Sequence, residues 1–228
     1  INNINNDEII HLKNEIKNIT NEYVEKYDEN KLSDNERCVY LEWNDIEKVY
    51  NQLYEDRKKN YKSFRDCIII GLYMSIPPRR IMDYSKMIVK KNSEELNDEE
   101  NYYIIDYKMF IFNSFKEKDT CEKIFFVSDE IVLLLDEYIK LYNLYEKKLL
   151  DMNERELSEK VKRIMKKYTN KSASINTFRH SYITHMEKSG FIKTTKLKKE
   201  LASKMGHSHR TQQDIYRKNQ SDDSSLSD

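Results

Sequence analysis

Apolar residues recur along this chain with two different periods, and the change of period divides it into segments. Ile9, Leu12, Ile16 and Ile19 lie three or four apart in an otherwise polar stretch, the stripe of an amphipathic helix. Trp43, Ile46, Val49, Tyr50 and Leu53 repeat that spacing and predict a helix over 43–60. The next segment, SFRDCIIIGLYMSI, is too apolar for a surface position and predicts the buried central helix. Pro77 and Pro78 end it. Pro78 suits the first turn of a short helix, RRIMDYSKM.

The pattern then becomes strand-like. Residues 102–106, 109–113 and 123–127 are rich in Tyr, Ile, Phe and Val and are separated by short polar turns. They predict a small three-stranded antiparallel sheet. Ser128 is placed to cap the following helix, with Asp129 and Glu130 in its first turn. That helix, IVLLLDEYIKLYNLYEKKLL, is long and apolar on one side. Further helices are expected over 154–168, 177–188 with Gly190 as a left-handed cap, 194–204 and 211–218. The tail SDDSSLSD is expected to be disordered. No internal repeat is visible. The expected fold class is mainly α, with one small sheet (α+β).

Composition narrows this reading. With 3 Gly and 2 Pro in 228 residues, obligatory breakers are few, which favours helices. No apolar run approaches the ~20 residues needed to span a bilayer, and no signal peptide is expected. Cys38, Cys67 and Cys121 lack metal-ligand spacing and fit a reducing compartment inside a cell, cytoplasm or nucleus. The first residue is Ile1, so a piece of a longer chain is expected. The net charge of +0 conceals an asymmetry. Residues 160–218 hold 16 Lys and Arg against three acids, whereas 1–60 hold 9 basic against 14 acidic residues. A basic C-terminal third suits a nucleic-acid partner, although a solvated lysine-rich helical face explains the charge alone equally well.

Breaking and rejoining DNA without a metal sets a short list of requirements. Charge accumulating on phosphate oxygens calls for planar, bidentate guanidinium groups. A tyrosine can store the bond energy as a phosphotyrosine. The departing sugar oxygen needs a proton from a lysine or histidine. The chain carries PPRRIMDYSKM, then NSFKEKD, INTFRHSYITH and LASKMGHSHRTQQDIY, in that order. Over 43–218 it resembles the catalytic domain of the tyrosine recombinase (phage integrase) family.

The resemblance implies a helical DNA breaking-rejoining domain and assigns roles residue by residue. Arg80, with Asp83 three positions on, matches the first arginine, and Arg79 is the substitute should the register differ. Lys116, or less well Lys118, matches the lysine in a turn of the small sheet. Arg179, followed by His180, matches the second arginine, and Met205, Gly206 and His207 match a Leu-Gly-His motif. Tyr216, nine residues after His207, stands where the nucleophile is expected. At Asn176 the chain departs from the usual histidine or lysine. Asparagine can donate a hydrogen bond but cannot shuttle a proton near neutral pH, so deprotonation of Tyr216 falls to water, to His207, or to another register. The segment between Arg179 and His207 is also somewhat long.

Taken singly, these residues are ordinary. Arg80 and Lys116 suit surface ion pairs, Arg179 and His180 a capped helix start, Tyr216 a core; His11 and His185 read as exposed or structural. Their order and spacing make the case. The resemblance implies a site-specific recombinase or integrase of a virus or mobile element that forms a 3′-phosphotyrosine, with no metal and no cofactor. Its partners would be a double-stranded recombination site and further copies of itself, as a dimer or tetramer on DNA, with no membrane role. The expected domains are an arm or linker over 1–40, the catalytic domain over 41–220 and an acidic tail over 221–228. A type IB topoisomerase would use the same chemistry, and an inactive DNA-binding relative is the non-enzymatic alternative. The His-Ser-His sequence differs from the metal-binding His-hydrophobic-His pair of nicking enzymes, because its middle residue is polar and no carboxylate lies at ligand spacing.

Overall fold

The computed structural model describes residues 11–19, 32–114 and 123–207. Residues 11–19 are helical (α1), and their apolar stripe of Leu12, Ile16 and Ile19 is exposed. Helix α2 (Asp34–Val39) starts with a capping box between Ser33 and Glu36. Helix α3 (Trp43–Asp56) buries Trp43, Ile46, Val49, Tyr50 and Leu53, the predicted face. Each such side chain is worth about 1.5–3 kcal/mol of transfer free energy before conformational entropy is subtracted. Helix α4 (Tyr61–Ser75) is capped by Asn60 and buries Phe64 and every residue from 67 to 73. It is the central helix.

Pro77 and Pro78 supply no amide hydrogen, so the chain leaves α4 extended and re-enters helix only at α5 (Ile81–Ser85), with Arg80 as N-cap. The predicted continuation of that helix through Lys86 and Met87 does not form. Instead Ile88–Lys90 become a strand, β1, which pairs parallel with β2 (Asn101–Ile104). β2 pairs antiparallel with β3 (Met109–Phe112), and β3 with β4 (Ile124–Phe126). The sheet is therefore four-stranded and mixed, in the order β1-β2-β3-β4, and the expectation of a three-stranded antiparallel sheet is corrected. A three-residue strand is too short to show alternation. Its parallel partner is recruited only when the loop over 91–100 folds back.

A second correction concerns the long apolar helix. Helix α6 (Asp129–Tyr142) stops where Asn143 turns left-handed at φ 49°, a conformation asparagine tolerates. Ser128 is its N-cap without a side-chain cap bond. The residues after it run along the outer edge of β1, with Val89 N–H donating to Lys147 O (2.9 Å) and Leu149 N–H to Met87 O (2.8 Å). They cover a strand edge that would otherwise expose its amides.

Helices α7 (Glu154–Thr169) and α8 (Ile175–Lys188) both begin with capping boxes, at Asn153 and Ser174. Gly190 (φ +73°) turns the chain after α8, and Thr194 caps α9 (Thr195–Lys204). The main core joins α3, α4, the sheet, α6, α7 and the start of α8. A separate cluster of Ile183, Ile192, Leu201 and Met205 holds α9 against α8. Predicted helix 211–218 and the tail lie outside the described residues.

Candidate active site

Three segments remote in sequence meet where α5 begins: the Pro78–Arg80 turn, the first turns of α8, and the end of α9. Each is positioned locally before it is joined to the others. The double proline ends α4 and sets Arg79 and Arg80 at the mouth of α5. The Ser174 and Thr177 capping box starts α8, and Asn176 and Arg179, three apart, then project from one face. Helix α9 closes in a Schellman turn, with His207 N–H donating to Ala202 O (3.1 Å) and Gly206 N–H to Ser203 O (3.0 Å). Gly206 takes φ +70°, which a glycine adopts without steric cost.

Arg179 joins the three segments. It has no exposed surface, and its Nη1 donates to Pro78 O and to Met205 O, both at 2.8 Å. Arg79 is equally buried. Its Nε donates to the Asp83 carboxylate at 2.8 Å and its Nη1 to Lys204 O at 3.0 Å. Its guanidinium carbon lies 4.2 Å from the ring centre of Phe112 and 5.3 Å from that of Phe125. Burial pushes the Asp83 carboxyl above its ordinary value, while Arg79, then Arg179 and Arg80, pull it back. Asp83 is paired with Arg79, and Arg179 and Arg80 lie near enough to act on it electrostatically.

Arg80 is half-buried and faces a cleft of about 380 Å³ that Asn176, Ser174 and Ser158 also line. His207 is buried directly after Gly206, and His180 is buried beside Arg179 on α8. The structure thus brings Arg80, Asn176, Arg179 and His207 into one region. Lys116 and Tyr216 lie outside the described residues. Arg79 enters the sequence reading only as a substitute for Arg80, yet it occupies a place of its own, held by Asp83. The spacing of Arg79 and Asp83, i and i+4, was the available signal. The backbone acceptors Pro78 O, Lys204 O and Met205 O carry no sequence signal.

Arg80, which lines the cleft with Asn176, can offer a guanidinium to an anion there, with the buried Arg79 and Arg179 behind it adding positive charge. Among the described residues, no group of three or more His, Cys, Asp or Glu is arranged to hold a metal ion. No helix among them is long and apolar enough to cross a membrane.

No protein-family model matches the chain, and no curated protein matches it. A solved structure does. The crystal structure of XerA recombinase is similar at a TM-score of 0.54 and 14% identity, over 79% of this chain and 61% of that one. This chain thus spans about three-fifths of that structure's length. The mainly helical architecture with its small mixed sheet is similar to a recombinase fold.

Proposed function

We propose that this protein is a site-specific DNA recombinase that cuts and rejoins DNA through a covalent 3′-phosphotyrosine. The observation that carries the proposal is the convergence, on one buried arginine, of the segments bearing Arg80, Asn176 and His207. Similarity of fold to a recombinase supports it, and the segments RHSYITH and MGH, which look more like those of recombinases, rank it above the topoisomerase reading. Tyr216 Oη attacks the scissile phosphorus and displaces the 5′ oxygen of the next nucleotide. Lys116 gives that oxygen its proton, so a 5′-hydroxyl leaves while the phosphate stays on the tyrosine. Arg80 and Arg179 stabilise the non-bridging oxygens, and His207 and Asn176 donate further hydrogen bonds. The tyrosine proton passes to water or to His207. Rejoining is the reverse, with a 5′-hydroxyl attacking the phosphotyrosine.

The basic stretch over 160–218 grips duplex backbone phosphates. On this reading 41–220 is the catalytic domain, 1–40 an arm or linker and 221–228 a tail. The protein works on a virus's or mobile element's DNA inside a cell, and copies associate on the recombination site. Covalent trapping tests the proposal. The protein is mixed with a nicked duplex carrying candidate ends of its parent element, denatured, and run beside Tyr216→Phe. A denaturation-resistant adduct that disappears in the variant is expected. Absence of any adduct, with DNA binding intact, would refute the catalytic reading. Adducts formed equally on all sequences would favour the topoisomerase.

A further inference from the structure

The geometry points to Arg79 as a positioning residue that locks the turn carrying His207, rather than as a second phosphate ligand beside Arg80. At the end of α9, as at the end of any helix, the last carbonyls lack intrahelical donors. Here each is met. Leu201 O accepts from Met205 N–H, Ala202 O from His207 N–H and Ser203 O from Gly206 N–H. The last two are met by side chains from far along the chain. Lys204 O accepts from Arg79 Nη1, 125 residues away in sequence, and Met205 O from Arg179 Nη1. Two guanidinium groups thus sit at the negative end of the α9 dipole, where cations are favoured, and close it.

The two arginines are not equivalent. Arg79 is held by the Asp83 carboxylate and lies over the rings of Phe112 and Phe125, entirely buried. A guanidinium neutralised by its own carboxylate and enclosed by aromatic rings is poorly suited to meet an incoming phosphate. It is well suited to fix a backbone. Gly206 shows how tightly: a Cβ there would stand 2.9 Å from Arg79 Nη2. The turn therefore needs glycine twice over, for its φ of +70° and for the close approach of Arg79. Arg79 thereby sets where His207 sits at the end of α9. The twin arginines of PPRR divide their work: Arg79 holds the turn, and Arg80 faces the cleft.

The inference rests on the recombinase reading only for what the turn is held in place to do, so one measurement is made without DNA. Amide hydrogen exchange and imidazole resonances of His207 are recorded by NMR in wild type, Arg79→Lys, Gly206→Ala and Arg80→Met. Arg79→Lys keeps the charge but loses the fork, and Gly206→Ala presses on the same contact from the other side. Both are expected to speed exchange at Gly206 and His207 by roughly ten- to a hundredfold, the equivalent of one hydrogen bond to a charged group, with α4 amides unchanged. Arg80→Met should leave these signals as in wild type. With DNA, Arg79→Lys should slow adduct formation about a hundredfold at unchanged DNA affinity, as expected for a misplaced catalytic group. Unchanged His207 exchange in Arg79→Lys would overturn the assignment. So would acceleration spread evenly over the core, or failure of both variants to fold, since either makes Arg79 a general core anchor. If the exchange results hold but wild type forms no adduct on any DNA, the recombinase reading fails and the positioning role stands.

Discussion

Replacement of Arg179 by methionine separates two roles that the structure assigns to one side chain. A purely catalytic arginine can usually be removed with little loss of stability, because it faces a cleft and water replaces its contacts. Arg179 has no exposed surface and ties Pro78 O to Met205 O through two bonds of 2.8 Å. Methionine approximates its volume but leaves both carbonyls buried without that donor. Each orphaned acceptor costs about 1–3 kcal/mol, so the pair predicts a loss of about 4 kcal/mol. For a chain of this size, where 1 kcal/mol moves the midpoint by about 2–4 °C, the melting temperature should fall by roughly 10 °C. Urea unfolding followed by tryptophan fluorescence measures this, since Trp43 is the single reporter and lies in the core. Arg80→Met is the control: Arg80 is half-buried at the cleft, where water can replace contacts, so its loss should cost clearly less than that of Arg179. Both variants should abolish the covalent adduct. A stability loss below about 1 kcal/mol in Arg179→Met would refute the anchoring role, because two buried carbonyls cannot lose their donor so cheaply.

Other consequences are as direct. Asp66 and Lys160 form a nearly buried ion pair between α4 and α7, so Lys160→Met should cost about 3 kcal/mol in urea unfolding by stranding the carboxylate. The double change with Asp66→Leu should recover most of that loss. Burial pushes the Cys67 thiol up to about 12, so its reactive thiolate is scarce at pH 8, whereas Cys38 is exposed. In a Cys121→Ser background, a thiol reagent should label Cys38 at once and Cys67 only on unfolding; prompt labelling of two thiols in the native protein would contradict the burial. DNA affinity should fall by about 1000-fold or more between about 50 and about 200 mM salt if six or more phosphates are gripped by the basic third, and a shallow slope would refute that interface.

The elements that could be read from the sequence are those whose cause is local. The face of α3 from Trp43 to Leu53, the capped start of α9 at Thr194 and the stop at Pro77 all follow from spacing, caps and ring chemistry within a few residues. The stretch over 131–150 misled, because its apolar pattern continues past Asn143 although the backbone does not. A left-handed asparagine redirects the chain to cover β1. Strand β1 was illegible because three residues show no period and its partner lies across a parallel crossover.

At the site the same division holds. Sequence alone named Arg80, Asn176, Arg179 and His207 as a set, because motif order survives without coordinates, and it placed glycine before the histidine. It could not tell the two arginines of PPRR apart. Adjacent residues of one type differ only in the direction each points, and direction was decided by Asp83, Phe112, Phe125 and Lys204 O, three of which come from other elements. Local propensity and periodicity depend on neighbours within about a turn and are written in the chain. Burial of a charge depends on which remote groups come to compensate it, and only the assembled tertiary structure supplies those.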